Sequence, residues 1–245
     1  MTETRWTTRL SHLALGLAVV AIAVAIGGVM LARYDLIPKI AGFSALLGGG
    51  LLALAAVVTG VIGVILNWRY PTASRKAAIV ALLLSAPYAG FLASRPMAAG
   101  DAPAIHDITT DLADPPAFER LALRPDNLTG VDTIENWRGI HARAYSDLKP
   151  VTITKPVADV LADAERIARE YGWDIARADP AAGRLEATDS VSMIRFRDDV
   201  VVRVRPAGDG KASIVDMRSV SRIGVGDLGV NARRIRAFLK ALAAA

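Results

Sequence analysis

The chain is apolar where it begins and alternating where it ends. Residues 11–32, 40–66 and 77–94 form three runs of 22, 27 and 18 residues without a formal charge. A helix rises about 1.5 Å per residue, so 22 residues reach roughly 33 Å, enough to cross the hydrocarbon of a bilayer. The pattern predicts three membrane spans, the third interrupted by Pro87. A cleaved signal peptide fits 11–32 poorly, because the run is long and two more apolar segments follow it.

Beyond a predicted linker over 96–103, residues 104–148 are weakly periodic, with "DPPAF" and "RPDN" as turn punctuation. One short strand near 105–109 and otherwise extended loops are expected there. "PVTIT" reads as a strand. In the next segment Val157, Val160, Leu161, Ala164, Ile167, Ala168 and Tyr171 recur at helical spacing, and Gly172 marks a stop. "WDIARAD" and "RLEATDS" outline a hairpin around "PAAG"; "SMIRFR", "DVVVRVRP" and "ASIVDMRSVSR" read as further strands. A last amphipathic helix is expected from about 228 to 242, burying Leu228, Ile235, Phe238, Leu239 and Leu242. The predicted fold class is α+β: a three-helix transmembrane anchor over 1–95, then a soluble domain over 104–245. That domain has an antiparallel sheet with two helices on one face.

Composition supports the division. Hydrophobic residues make up 53% of the 245, and the mean hydropathy is +0.35, too apolar for an ordinary soluble protein. The net charge of +5 is uneven: residues 1–95 hold eight Lys/Arg and two Asp/Glu, whereas 96–245 hold 21 and 22. The basic balance therefore belongs to the loops flanking the spans, and nucleic acid is disfavoured as a partner. Arg5 and Arg9 precede the first span, and Arg69, Arg75 and Lys76 fill the second loop. The positive-inside rule then places the N-terminus in the cytoplasm. With three spans, residues 96–245 are expected outside, which for the inner (cell) membrane of a Gram-negative bacterium means the periplasm. No Asp, Glu, Lys or Arg lies within a span, which favours an anchor over a transporter. Gly49 with Ala53, and Thr59 with Gly63, form small-xxx-small pairs suited to close helix approach. The chain has no cysteine, and a domain of about 150 residues can bury a core without disulfides.

The densest polar cluster is "SRIGVGDLGVNARRI", residues 221–235. Gly224 and Gly226 permit a tight strand-to-helix turn, and Gly229 permits close backbone approach. Asp227 is placed to accept first-turn amides of the last helix. Asn231 falls on the apolar stripe of that helix, so its amide needs partners, with Ser219 and Ser221 as candidates. Around this corner stand Arg218, Arg222, Arg233, Arg234, Arg236 and Lys240, facing an acid-rich stretch over 101–147. Internal pairing of those arginines is the favoured reading. An anion site formed by Arg218, Arg222 and Arg234 at the helix start is the sharper one.

Other candidates are weaker. His106 with Asp107, Asp111 and Asp114 could suggest a metal or an acid–base pair, but the spacing matches no metal motif. On a strand, His106 and Asp107 also point to opposite faces. His141 near Trp137 and Tyr145 suits packing, and His12 sits at a membrane boundary. The sequon at Asn127 would matter only in a eukaryotic secretory setting. No sequence pattern calls for a cofactor.

Three strings, "IHDITTD…DPPAF", "RLEATDSVSMIRFRDDVVVRVRP" and "VDMRSVSRIGVGDLGVNARRIRAFLKAL", resemble a bacterial and plastid family known as domain of unknown function 1499. The likeness covers roughly 104–243, and a subset of the family carries a multi-span N-terminal anchor. Many members open the domain with a cysteine-containing segment, where this chain has "IHDITTD". The resemblance supports the domain boundary and implies no activity. The functional expectation is an envelope protein with a binding or scaffolding domain, its partners the lipid bilayer and an envelope protein or anionic ligand. A periplasmic hydrolase using His106 and nearby carboxylates is the alternative.

Overall fold

A computed structural model describes residues 2–245, apart from the side chains of residues 2 and 96–99. Two compact units form, one dominated by the first 98 residues and the other by the remainder.

The first unit holds α1 (Thr2–Arg33), α2 (Lys39–Arg69) and α3 (Arg75–Ala99). All three are long and apolar enough to cross a membrane. α2 buries a seam of small residues, Gly42, Gly49, Ala53, Ala56, Gly60 and Gly63. Close approach is the reason: a Cβ added at Gly49 would stand 2.7 Å from the Ala21 carbonyl oxygen of α1. The expected Thr59–Gly63 pair is displaced by one position. The Thr59 hydroxyl bonds back to Ala55 of its own helix at 2.8 Å, and Gly60 occupies the seam. Asn67 joins the helices at one end. Its amide nitrogen donates to Ser11 Oγ at 3.2 Å and to the Gly63 carbonyl at 2.7 Å, while its oxygen accepts from the Thr72 hydroxyl at 2.8 Å. α3 continues through Pro87, and the Tyr88 hydroxyl donates to the Leu46 carbonyl of α2. In the first loop Lys39 turns inward, pairing with Asp35 at 2.9 Å and donating to the Ala32 carbonyl near the end of α1. The expected linker over 96–103 overlaps the end of α3, and the side chains of 96–99 lie outside the described residues.

The second unit runs β1 (Asp107–Thr109), α4 (Ile134–Ala144), β2 (Val151–Ile153), α5 (Val157–Glu170), β3 (Asp174–Asp179), β4 (Arg184–Val191), β5 (Phe196–Ala207), β6 (Ala212–Ser221) and α6 (Val230–Ala243). The strands make one antiparallel sheet in the order β1-β6-β5-β4-β3, with β2 also pairing to β6. One face carries Leu185, Ala187, Val200, Val202, Val204, Val215 and Met217. It packs against Val160, Leu161, Ala164 and Ile167 of α5 and Ile235, Phe238 and Leu239 of α6. Trp173 stacks on Phe238 with ring centroids 5.0 Å apart. The domain is thus α+β with α5 and α6 on one sheet face.

Three expectations need correction. "SMIRFR" is not a strand: residues 192–195 form a turn in which Ser192 and Arg195 take positive φ, and β5 begins at Phe196. The span 104–148 is not all loop, because α4 lies within it. Thr133 caps α4 by accepting from the Asn136 amide at 3.1 Å. The last helix starts at Val230 rather than Leu228, since Leu228 and Gly229 both hold positive φ, outside the helical region. Leu228 is 58% exposed, not buried.

The sheet face opposite α5 and α6 is charged, and the segment after β1 covers it. Glu186 of β4 is fully buried there. Its carboxylate accepts the amides of Glu119, Arg120 and Leu121 at 2.8–2.9 Å. Arg203 of β5 pairs with Asp216 of β6 at 3.0 Å and with Asp114 at 2.8 Å. Arg184 donates to the Ala117 carbonyl. Alternation along β4, β5 and β6 thus supplies the charges that hold the 111–121 segment down.

Candidate functional site

The corner between β6 and α6 is built from side chains that tie the turn to both elements. Asp227 Oδ1 accepts the Gly229 amide at 2.8 Å and Oδ2 accepts the Asn231 amide at 2.6 Å. The carboxylate therefore serves first-turn donors although the residue at the formal cap position is Gly229, held at φ 75°. A side chain at Gly229 would also crowd the Arg233 guanidinium at 3.0 Å and touch Ala102. Gly224 takes positive φ as well, and Gly226 lies against Ala104. Burial pushes the Asp227 carboxyl above the usual aspartate range, with the two amide bonds opposing that shift.

Asn231 is fully buried and fully bonded. Its nitrogen donates to the His106 carbonyl and to Ser221 Oγ, both at 2.9 Å; its oxygen accepts from Ser219 Oγ at 2.6 Å and from Arg234. One amide thereby links α6, β6 and the entry to β1.

The three arginine candidates separate by environment. Arg234 is 5% exposed and bonds Asp189 at 2.9 Å, Asp198 at 2.7 Å, Ser219 and Asn231. Arg218 grips Asp107 with two bonds of 2.8 and 2.6 Å and donates to the Pro116 carbonyl. Both guanidiniums are turned into the fold. Arg222 is different: it holds Asp199 bidentately at 2.9 and 2.8 Å and reaches Thr188, yet its side chain is 39% exposed. The Asp199 carboxylate beside it holds its guanidinium above the usual range. Arg222 borders an open cleft of about 320 Å³ with Ala122, Leu123, Arg124, Asp199, Val220 and Ser221. Arg124, also in the lining, donates to the Gly224 carbonyl at 2.7 Å and pairs with Asp126.

The histidines do not join a carboxylate. His106 is buried, and neither ring nitrogen has a hydrogen-bond partner among the described residues. Burial and then the Arg124 charge hold its pKa below the ordinary imidazole range. Asp107 is engaged by Arg218, Asp114 by Arg203, and Asp111 accepts the amides of Ala113 and Asp114. His141 accepts the Thr109 amide on Nε2 at 3.1 Å, packs edge-on to Trp137 and Tyr145, and is lowered by burial. The described residues contain no group of three or more His, Cys, Asp or Glu able to hold a metal.

The family described as "Protein of unknown function (DUF1499)" matches residues 107–242, more than half of the chain. The chain belongs to this family. The match begins at β1 and ends in α6, so it encloses the sheet, the corner and the cleft, and leaves the three N-terminal helices outside. No curated protein matches the chain.

Sequence reasoning left out the carboxylates that complete these networks. Glu186, Asp189, Asp198 and Asp199 sit on β4 and β5 opposite positions that only the pairing register brings together. Glu186 stands on the same face as Arg184, two residues before it. That alternation was the one available signal.

Proposed function

We propose that the protein is a multi-span anchor that displays a binding or scaffolding domain on the outer side of the bacterial inner membrane, in the periplasm. The observation that carries the binding role is the cleft beside Ser221. There Arg222 keeps solvent exposure while its neighbours Arg218 and Arg234 are enclosed by their own carboxylates. Two guanidiniums, with Leu123 and Val220 also lining the cleft, suit an anionic group carried by an envelope component, whether protein or smaller ligand. The outward placement rests on the cations of the N-terminus and second loop, acting through the positive-inside rule.

Two experiments test the parts separately. An export-dependent reporter fused after Ala245 should be active, and a cytoplasm-dependent one silent; the reverse pattern overturns the orientation. Ala122→Glu places a bulky carboxylate in the cleft lining at an exposed position, filling space and repelling an anion while leaving Arg222 and Asp199 unchanged. It should leave the melting temperature within about 2 °C, as surface changes do. It should also abolish retention of components that the wild-type chain holds through membrane solubilisation. Retention unaffected by a blocked cleft would sink the binding role.

A further inference from the structure

Among the described residues of the second unit, the exposed large apolar side chains are Leu123, Ile134, Tyr171, Ile223, Val225 and Leu228. Four of these, Leu123, Ile223, Val225 and Leu228, belong to two neighbouring loops, while Ile134 opens α4, Tyr171 caps the end of α5 and Met193, also exposed, lies in the β4–β5 turn. Arg124 links the two loops by donating to the Gly224 carbonyl, and Val225 lies against Gly130. The largest group of exposed apolar side chains after residue 100 is thus gathered at one corner.

Leu228 adds an independent observation. It stands at φ 54°, in the left-handed region that disfavours a leucine, and it is 58% exposed. The fold gains no core burial from this side chain and is strained by it. An asparagine or glycine would serve the turn better, so the leucine suits something outside the domain.

Chain connectivity limits what that something is. Ala102 and Ala104 pack beside Gly229 and Gly226, at the base of this corner. Six residues lie between Arg95, where the third apolar span ends, and Ala102, a tether that extended chain stretches to at most about 25 Å. The surface always available to the corner is the bilayer holding the helices. The loop tip itself offers uncharged side chains, Ile223, Val225 and Leu228, so contact there would be made by apolar groups.

We infer that the loop tip Ile223–Val225–Leu228, with Leu123 beside it, inserts into the boundary between headgroups and acyl chains of the same membrane. The inference holds on whichever side the domain lies, and it does not require the cleft to bind anything. The occupant is the phospholipid surface, reached by apolar insertion.

The chain contains no cysteine, which makes single-site labelling clean. The full chain carrying Val225→Cys, with Ile223→Cys as a second position and Lys211→Cys as an exposed control, is labelled with bimane and placed in phosphatidylcholine nanodiscs. Brominated acyl chains should quench the label at 225 or 223 at least about twofold more than at 211, and aqueous iodide should quench it less. Adding Leu228→Asn should lower the bromolipid quenching while leaving the melting temperature unchanged or higher, because asparagine tolerates positive φ. Equal iodide access at 225 and 211 overturns the inference. So does shielding from iodide without bromolipid quenching, which would mark a protein contact such as a second copy. Insertion indifferent to Leu228→Asn overturns it too, since the label itself would then be the inserting group.

Discussion

Asn231 occupies a place where leucine would fit by volume and fail by chemistry. Its side chain fills two donor and two acceptor roles. Asn231→Leu would leave the Ser219 and Ser221 hydroxyls and one Arg234 bond short of a partner in a dry site, while the His106 carbonyl keeps the Ser221 amide and Ser219 Oγ keeps Arg234. Each buried unpaired group costs about 1–3 kcal/mol, so a loss near ~3 kcal/mol is expected in thermal or denaturant unfolding. Asp227→Ala removes a single carboxylate from two amides and should cost only about 0.5–2 kcal/mol, the range of a lost cap. His106 predicts a pH effect instead. Burial lowers both His106 and His141, so the folded chain resists protons that the unfolded chain accepts near the ordinary value of about 6.5. The unfolded state then binds more protons as pH falls below that value, and stability declines from pH 7 toward 5. Asp227, raised by burial, acts in the opposite sense, because its folded carboxyl takes up a proton first. His106→Leu loses no ring hydrogen bond and removes one resisting group, so it should flatten the acid decline in melting temperature. An unchanged slope would show that His106 is protonated as easily folded as unfolded.

At the scale of elements, what could be read in the sequence depended on whether the decisive partner was local. α5 was legible because its apolar stripe lies within 14 residues, and β6 because its alternation does. α4 was hidden because its buried positions are Trp137 and His141, too few and too polar in appearance to mark a stripe. Leu228 was misplaced for a related reason: its spacing continues the α6 stripe, but its φ turns it out of the helix. The arginines of the corner were visible as a cluster, while their separation into enclosed and open members required the carboxylates of β1, β4 and β5, more than twenty residues away. Gly183 shows a local feature with a distant cause. It enters β4 at φ 60°, and a Cβ there would run into the Val204 carbonyl of β5. Its own carbonyl accepts the Val204 amide at 2.7 Å. Gly183→Ala should therefore destabilise the domain by at least ~2 kcal/mol, combining left-handed strain with a damaged β4–β5 contact. A melting temperature within 1–2 °C of wild type, roughly what a surface change gives, would mean that the strand end yields freely.

For the whole molecule, the two units differ in what holds them together. The helices meet through small residues and interhelical bonds such as Asn67 to Ser11, contacts that suit a medium without water. The second unit has a complete aqueous-type core. Every buried apolar residue of its main cluster, from Ile105 to Leu242, lies after the last apolar helix. Its charged sheet face is closed by its own 111–121 segment through Glu186 and Arg203. Among the described residues, that core and cover are built only from residues after 99, and about 145 residues suffice for a stable single core. A fragment spanning 101–245 should therefore fold without the helices. In calorimetry its unfolding should be one transition with matching calorimetric and van't Hoff enthalpies, the sign of two-state behaviour. Reducing agent should not change it, since no cysteine exists to pair. The same fragment with Glu186→Ala should keep β5 and β6 protected from hydrogen exchange while the amides of 119–121 exchange freely, because only their acceptor has been removed. If the fragment instead shows retained secondary structure, broad melting and dye-binding apolar surface, the domain's order depends on the anchor. The division of the chain at its third helix would then describe packing but not folding.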